Sequence, residues 1–424
     1  MKTCLPRIAI IGAGPAGLTL ARYLQQDKIS FQIFDIDASS IARDQGGTLD
    51  LHPESGQLAL RGAGLFEEFT KRARFEADCI KLVMADATVA LDEATDQHKR
   101  PEGDKPEIDR LELRNMLLCS LKPGTVRWGY KLLQVEPHAP GSAAERETYT
   151  LRFNVSGTIY EEGPFDIVIG ADGAHSKVRP LLTDKKPFYC GISMVELGAL
   201  NVDEKKKRLA DYVGAGSCFM LDEGRGIFAQ RNGKGTIRVY VCVRQPEGWF
   251  HSCGIDWSAP NTARKQLMDE YFSDCAPEIK NIIIDADDAL ILRPLDMLPI
   301  GVSWAPRGGV TLIGDAAHLM SPFAGQGVNA ALQDAMELGQ AIIHGVRKNQ
   351  GINGVTQELA GYEKCMFERT SALAQRTWDH LGICFSRDGA ERLAPIVHPR
   401  GPAPELEKDV GVKIEKGREA VVVV

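Results

Sequence analysis

The stretch from Arg7 to Asp35 constrains this chain more than any other. Arg7-Ile8-Ala9-Ile10-Ile11 is an apolar run of strand length, and Gly12-Ala13-Gly14-Pro15-Ala16-Gly17 follows it at once. Leu18, Leu20, Ala21 and Leu24 then recur at helical spacing, residues 29–34 read as a second strand, and Asp35 closes it. Strand, glycine turn, helix and acidic strand end make a βαβ unit of the dinucleotide-binding kind. Gly12 permits the tight turn, Gly14 lets backbone N–H groups approach a pyrophosphate, and Gly17 lets the helix pack close on the strand. The helix N-terminus turns its partial positive charge toward the phosphates. Asp35, 18 residues after Gly17, is spaced to hold ribose hydroxyls. The unit indicates a dinucleotide site without saying which dinucleotide.

At 424 residues the chain exceeds one simple core, so two domains or a large α/β domain with insertions are expected. A net charge of −7 without a long basic stretch speaks against nucleic acid as a partner. The run Lys205-Lys206-Lys207-Arg208 is short, follows two acids, and reads as a solvated face. The 10 cysteines stand singly, with no C-x-x-C and no zinc spacing, so no metal is expected. They read as reduced thiols, which places the chain in a reducing, cytoplasmic compartment. Lys2 and Arg7 before an apolar run imitate a signal peptide, yet cleavage there would remove the glycine turn. No apolar run reaches the length of a bilayer, so no integral membrane segment is expected.

Further along, Gly46-Gly47 marks a turn or a close backbone approach. Residues 56–69 read as a helix pair broken at Gly62 and Gly64, and residues 80–91 as a strand or hairpin. Asp109 can cap a helix through Leu113, Met116 and Leu117. Arg114 lies between those apolar positions, where pattern alone leaves a surface role open. Residues 165–169 are a buried-strand run, and Gly170-Ala-Asp-Gly-Ala-His-Ser-Lys-Val-Arg179 follows. Residues 185–293 are β-rich with glycine turns and read as a sheet layer inserted into the dinucleotide fold. Residues 310–313 restore the α/β texture, and Gly314-Asp-Ala-Ala-His-Leu-Met-Ser-Pro-Phe-Ala-Gly-Gln-Gly-Val-Asn329 leads into a helix. Residues 355–385 read as a long bracing helix, and the remaining tail as partly disordered.

Three glycine-rich segments, each at the end of a short apolar strand, suit one long cofactor at the carboxyl edge of an open sheet. Asp172 can meet ribose, pyrophosphate or a pyridine nucleotide. Asp315 puts a second carboxylate at a strand end, and residues 322–327 open a helix whose N–H groups suit phosphate or an anionic ring. In this order, from Gly12 to Asn329, the segments resemble the FAD-binding motifs of the class A, aromatic-hydroxylase-like flavoprotein monooxygenases. Gly46-Gly-Thr-Leu-Asp-Leu-His52, Glu107-Ile-Asp-Arg110 with Arg114, and the Gly314–Asn329 segment narrow the likeness to the tetracycline-inactivating monooxygenases, the tetracycline destructases. It runs to about residue 385.

The resemblance implies an α/β fold: a Rossmann-type FAD-binding domain with an inserted β-sheet substrate domain and a long C-terminal bridging helix. Residues 1–184 and 294–350 would form the FAD-binding domain, discontinuous and with sheet insertions, and 185–293 the substrate domain. Residues 351–385 would be the bridging helix and 386–424 the tail. It further implies non-covalent FAD, O2 as oxidant, a small-molecule substrate and a monomer. NADPH would be a transient reductant, in keeping with the lack of a second G-x-G-x-x-G. The implied reaction is hydroxylation through a C4a-hydroperoxyflavin, with the protein orienting groups and excluding water. No acid, base or nucleophile is therefore assigned, and His318 reads as structural.

The implied roles are specific. Gly12, Gly14, Pro15, Ala16 and Gly17 would line the pyrophosphate, and Asp35 would hold the adenosine ribose. Gly47, Asp50, Arg114, Asp172 and Asp315 match FAD contacts, and Arg43 matches an arginine that handles NADPH near the flavin. Pro322, Gly325, Gln326, Gly327 and Asn329 would lie along the isoalloxazine. Phe323 would face the substrate, as would Glu196, Ser217 and Arg238 in the sheet layer. The last three do not keep the destructase residue types, and such differences decide specificity. Tetracycline and an endogenous polyketide or aromatic secondary metabolite both stand as substrates, with hydroxylation or epoxidation open for the latter.

Overall fold

The computed structural model describes residues 5–40, 46–95, 104–138, 147–287, 290–348 and 351–398, without the side chains of 351–353. Its centre is a parallel sheet in the order Val310–Leu312, Ile167–Gly170, Ile8–Ile11, Phe31–Asp35, Val126–Trp128. The inner strands Ile8–Ile11 and Ile167–Gly170 are buried along their whole length. That burial is why they read as unbroken apolar runs. The helix Pro15–Gln26 opens with proline in its first turn, where the missing N–H costs nothing. The helix Gly327–Arg347 packs on it, with Gly339 giving room to the Tyr23 ring. The helix Gly351–Cys384 lies along Gly327–Arg347 in turn. Gly12, Gly170 and Gly314 consequently stand at one edge of the sheet.

A second sheet has seven strands, ordered Ile291–Met297, Phe188–Ala199, Thr236–Arg244, Arg225–Asn232, Ser217–Asp222, Ile80–Val83, Val89–Asp92. On one face Val195, Leu197, Val239 and Val241 are fully buried with Leu267, Ile279 and Ile282 of covering helices. The opposite face carries Met194, Glu196, Arg238, Tyr240, Phe228 and Ser217, which alternate with the first set. This face meets the Gly46-Gly47 turn, Phe323 and the Gly351–Cys384 helix.

Two features add to the sequence reading. Within residues 1–184, Ile80–Val83 pairs in parallel with Ser217–Asp222 and Val89–Asp92 follows it, so this hairpin extends the seven-stranded sheet. That pairing joins residues far apart in sequence, which local periodicity does not encode. The tail begins as an ordered helix, Gly389–Val397, whose Ala390 and Leu393 are buried with Leu82 and Leu221. Its apolar stripe finds a sheet edge to cover, and His398 Nδ1 sits 2.9 Å from Glu93 Oε1. Residues 399–424 lie outside those described.

Candidate active site

The site grows from the carboxyl edge of the parallel sheet. Gly12 has φ +109°, and a Cβ there would lie 2.2 Å from the Ala171 carbonyl oxygen. A Cβ on Gly17 would lie 2.1 Å from the Gly12 carbonyl oxygen. The folded chain itself requires these two glycines. Gly14 is different: its φ is an ordinary −78°, and an added Cβ would meet nothing within 4 Å. Gly327 is open in the same way. The helices that start at Pro15 and Gly327 have no side-chain cap, so their first N–H groups face outward without a side-chain partner. Two uncapped helix starts beside open glycines form a cradle for an anion.

Asp35 accepts the Ala13 N–H at 2.6 Å and the Asp37 N–H at 2.7 Å. Its carboxylate is thereby fixed at the strand end, with lone pairs left for hydroxyl donors. Arg114 is not a surface residue. It is 2% exposed and donates from Nε to the Ala13 carbonyl at 3.1 Å and from Nη2 to Asp37 at 2.9 Å. It clamps the glycine turn to the exit of the second strand.

Asp172 accepts the Lys177 N–H at 2.7 Å through Oδ2, while its Oδ1 is buried with no partner. Burial pushes this carboxyl's pKa up, against the Ser176 hydroxyl and the Lys177 N–H. An orphaned buried oxygen costs about 1–3 kcal/mol, which a ligand hydroxyl in this cleft would offset. Arg179, quoted in the motif without a role, donates to the Ala316 carbonyl at 2.8 Å and to the Ala174 carbonyl at 2.6 Å. It ties the second glycine-rich turn to the third.

Asp315 opens the short helix Asp315–His318, and Gly314 before it donates its N–H to Asp334 at 2.9 Å. Asp334 is fully buried and also meets His318 Nε2 at 2.5 Å and Arg369 Nη2 at 2.7 Å. Burial alone would push the His318 pKa down, yet the Asp334 charge and hydrogen bond raise it. Burial alone would raise the Asp334 carboxyl, yet His318, Arg369 and the Gly314 N–H hold it low. His318 is thus a structural histidine beneath the loop. The sequence reading missed Asp334 and Arg369, although an aspartate on the apolar stripe of Leu332, Ala335 and Leu338 was a usable signal.

Asp50, Gly325 and Asn329 come together. A Cβ on Gly325 would lie 3.0 Å from Asp50 Oδ1, and Asn329 donates to the Asp50 carbonyl at 2.9 Å. Asn329 also accepts the His52 N–H at 2.8 Å, and His52 Nε2 is 2.9 Å from Asp50 Oδ2. Behind Asp50, burial and then the Asp50 charge push the Glu107 carboxyl up to about 8. Gly47 donates its N–H to Tyr240 Oη at 2.9 Å. Arg43 lies outside the described residues.

Three of the four substrate candidates, Glu196, Arg238 and Ser217, share the sheet face that meets the Gly46-Gly47 turn. Glu196, Tyr240, Phe228 and Phe219 form one cross-strand row, and Gly198, Arg238, Gln230 and Ser217 form the next. Phe323 of the Gly-Asp loop stands 5.4 Å from the Phe228 ring and 5.2 Å from the Phe385 ring. Loop, sheet and long helix meet in that aromatic cluster. Among the described residues no His, Cys, Asp and Glu cluster can hold a metal, and no helix is long and apolar enough to cross a membrane.

Comparison with known proteins agrees with this geometry. A family model described as an FAD binding domain matches residues 6–358. The chain is 29% identical to a protein named monooxygenase penA of Penicillium thymicola, over 92% of this chain and 98% of that one. Its fold is similar to Klebsiella pneumoniae HpxO complexed with FAD and uric acid, with a TM-score of 0.71 at 21% identity over 92% of each chain. It is also similar in fold to tetracycline destructase Tet(51), with a TM-score of 0.65 at 18% identity over 93% of this chain and 96% of that one.

Proposed function

The chain belongs to the FAD binding domain family of flavin-dependent monooxygenases, and from that premise we propose that it inserts one atom of O2 into an electron-rich carbon of an aromatic or polyketide-like secondary metabolite. The observation that carries this substrate class is the ring cluster of Phe219, Phe228, Phe323 and Phe385, which joins the sheet face to the Gly-Asp loop. Such rings hold a planar molecule by offset and edge contacts.

FAD fits the residues present. The turn from Gly12 through Gly14, Pro15 and Ala16 to Gly17 would hold the pyrophosphate at the uncapped helix start, and Asp35 the ribose. Asp172 and Asp315 would receive donors between the three turns. Asp50, Pro322, Gly325, Gln326, Gly327 and Asn329 would border the ring system, with Gly47 and the Arg114 clamp holding the turns that face it. Bound FAD, once reduced, supplies the activated oxygen from O2. The chain itself orients the substrate against the Phe228 and Phe323 rings, keeps water from the reacting groups and holds the strand-end carboxylates in place. NADPH is the reductant in this reading, arriving transiently near Arg43.

The likeness to monooxygenase penA is one of sequence over nearly the whole of both chains. The destructase likeness is one of fold, so tetracycline ranks second. The test is NADPH consumption by the FAD-loaded protein against a panel of phenols, polyketides and tetracycline, with mass spectrometry of each compound. The expected result is stimulated consumption with the gain of one oxygen atom on a panel aromatic. Stimulation by tetracycline with the same gain would put the drug first. A protein that takes up no FAD would overturn the reading.

A further inference from the structure

Glu196 presents an anomaly at the substrate face. The residue is 2% exposed, and its Oε2 accepts the Arg293 Nε–H at 2.7 Å. Its Oε1 is buried with no hydrogen-bond partner, and Arg238 Nη1 stands off at 4.0 Å. The two guanidinium groups flank the carboxylate but leave one oxygen without a donor. Such an oxygen is expensive to keep in a folded protein.

The surroundings show where a donor would come from. A Cβ on Gly46 would lie 3.6 Å from Glu196 Oε1 and 3.8 Å from Tyr240 Oη. Among the described residues, the one over this oxygen is a glycine with no side chain to donate. The neighbouring Gly47 N–H is already given to Tyr240 Oη. Across the sheet, Glu196, Tyr240 and Phe228 share a row, so Glu196 and Phe228 are two strands apart. That is roughly 10 Å, a span that a fused-ring system covers. A planar molecule held at Phe228 and Phe323 therefore turns its far edge toward Glu196.

We propose that Glu196 Oε1 accepts a hydrogen bond from an O–H or N–H on the edge of a neutral aromatic substrate, reached as the Gly46-Gly47 turn lifts, and that it rejects aromatic carboxylates. The proposal rests on the flavin monooxygenase reading and sharpens its substrate class. A carboxylate at that edge has no hydrogen to give the orphaned oxygen, while a neutral O–H or N–H would satisfy it. Rejecting the wrong ligand is as much a part of specificity as holding the right one.

The test compares 3-hydroxy-2-naphthamide with 3-hydroxy-2-naphthoate, a pair of nearly equal shape. Binding to the FAD-loaded protein is read from the change in flavin absorbance. The neutral amide is expected to bind at least tenfold more tightly than the carboxylate. Glu196→Gln should bring the two affinities within about threefold, with FAD affinity unchanged. Glu196→Asp, which keeps the charge but withdraws it, should weaken the amide and still exclude the carboxylate. Equal binding of both probes by the native protein, or a native preference that survives Glu196→Gln, would overturn the proposal, as would failure to bind the amide at all. These results differ from failure of the monooxygenase reading, which would show as a protein that holds no FAD.

Discussion

Replacing Asp334 by asparagine removes a charge that three separated segments share. The carboxylate, itself fully buried, takes the Gly314 N–H, His318 Nε2 and Arg369 Nη2 at 2.9, 2.5 and 2.7 Å. Asparagine keeps the shape but offers one acceptor oxygen and a donor amide to three donors. Breaking a buried ion pair from one side costs about 3–5 kcal/mol. Arg369 retains Glu337 at 2.6 and 2.8 Å, which keeps the loss inside that range. Unfolding entropy of about 2.1 cal/mol/K per residue over 424 residues converts this to a fall in Tm of about 3–6 °C. The same change frees the Gly314 N–H and lets Asp315 drift, so FAD affinity should drop about tenfold or more. The assays are thermal melting of the flavin-free protein and fluorescence titration with FAD. Glu337→Gln, which touches only Arg369 in this network, is the control. A Tm within 1 °C of native together with unchanged FAD affinity would refute the view that Asp334 holds the third turn.

Other outcomes follow from the same geometry. Gly14→Ala should leave the melting of the flavin-free protein unchanged and weaken FAD at least tenfold, whereas Gly12→Ala should destabilise the flavin-free protein itself by several degrees; both are read by the two assays above. The His318–Asp334 pair gives a pH window. With His318 raised above 6.5, its contribution is complete below pH 6.5 and is lost as pH climbs through the folded value. With Asp334 lowered below 3.8, its contribution is present above pH 3.8 and is lost as pH falls through the folded value. The Tm difference between native protein and His318→Asn should therefore be largest in mildly acidic buffer and shrink in alkali. Glu107, pushed from 4.5 to about 8, acts the other way: it folds easily as a neutral acid and resists ionising. Glu107→Gln should gain stability relative to native as pH rises through 8, and no gain in a melting series would refute the burial argument. Arg179→Met should cost about 3 kcal/mol by stranding the Ala316 and Ala174 carbonyls, and should release FAD as well as lower Tm.

The chain's local order already determined much of this. Gly12, Gly14 and Gly17 between an apolar strand and a periodic helix admit few conformations other than the βαβ turn. Asp172 and Asp315 follow short buried strands closely enough that their place at a sheet edge is legible. These features depend on φ angles, periodicity and neighbours within a few residues, all of which are written along the chain. What only the tertiary structure decided depends on pairs with no local signature. Ile80–Val83 joins Ser217–Asp222 because a sheet edge accepts any matching strand, whatever its distance in sequence. Arg114 turned out to be a buried clamp because Ala13 and Asp37 converge on it from separate elements. Asp334 became the hub of the third turn because Gly314, His318 and Arg369 deliver donors to one point. Glu196 kept one oxygen empty because both of its arginines lie to the side. Hydrogen bonds and ion pairs are short-ranged and directional, so their partners are set only once the helices and sheets have packed.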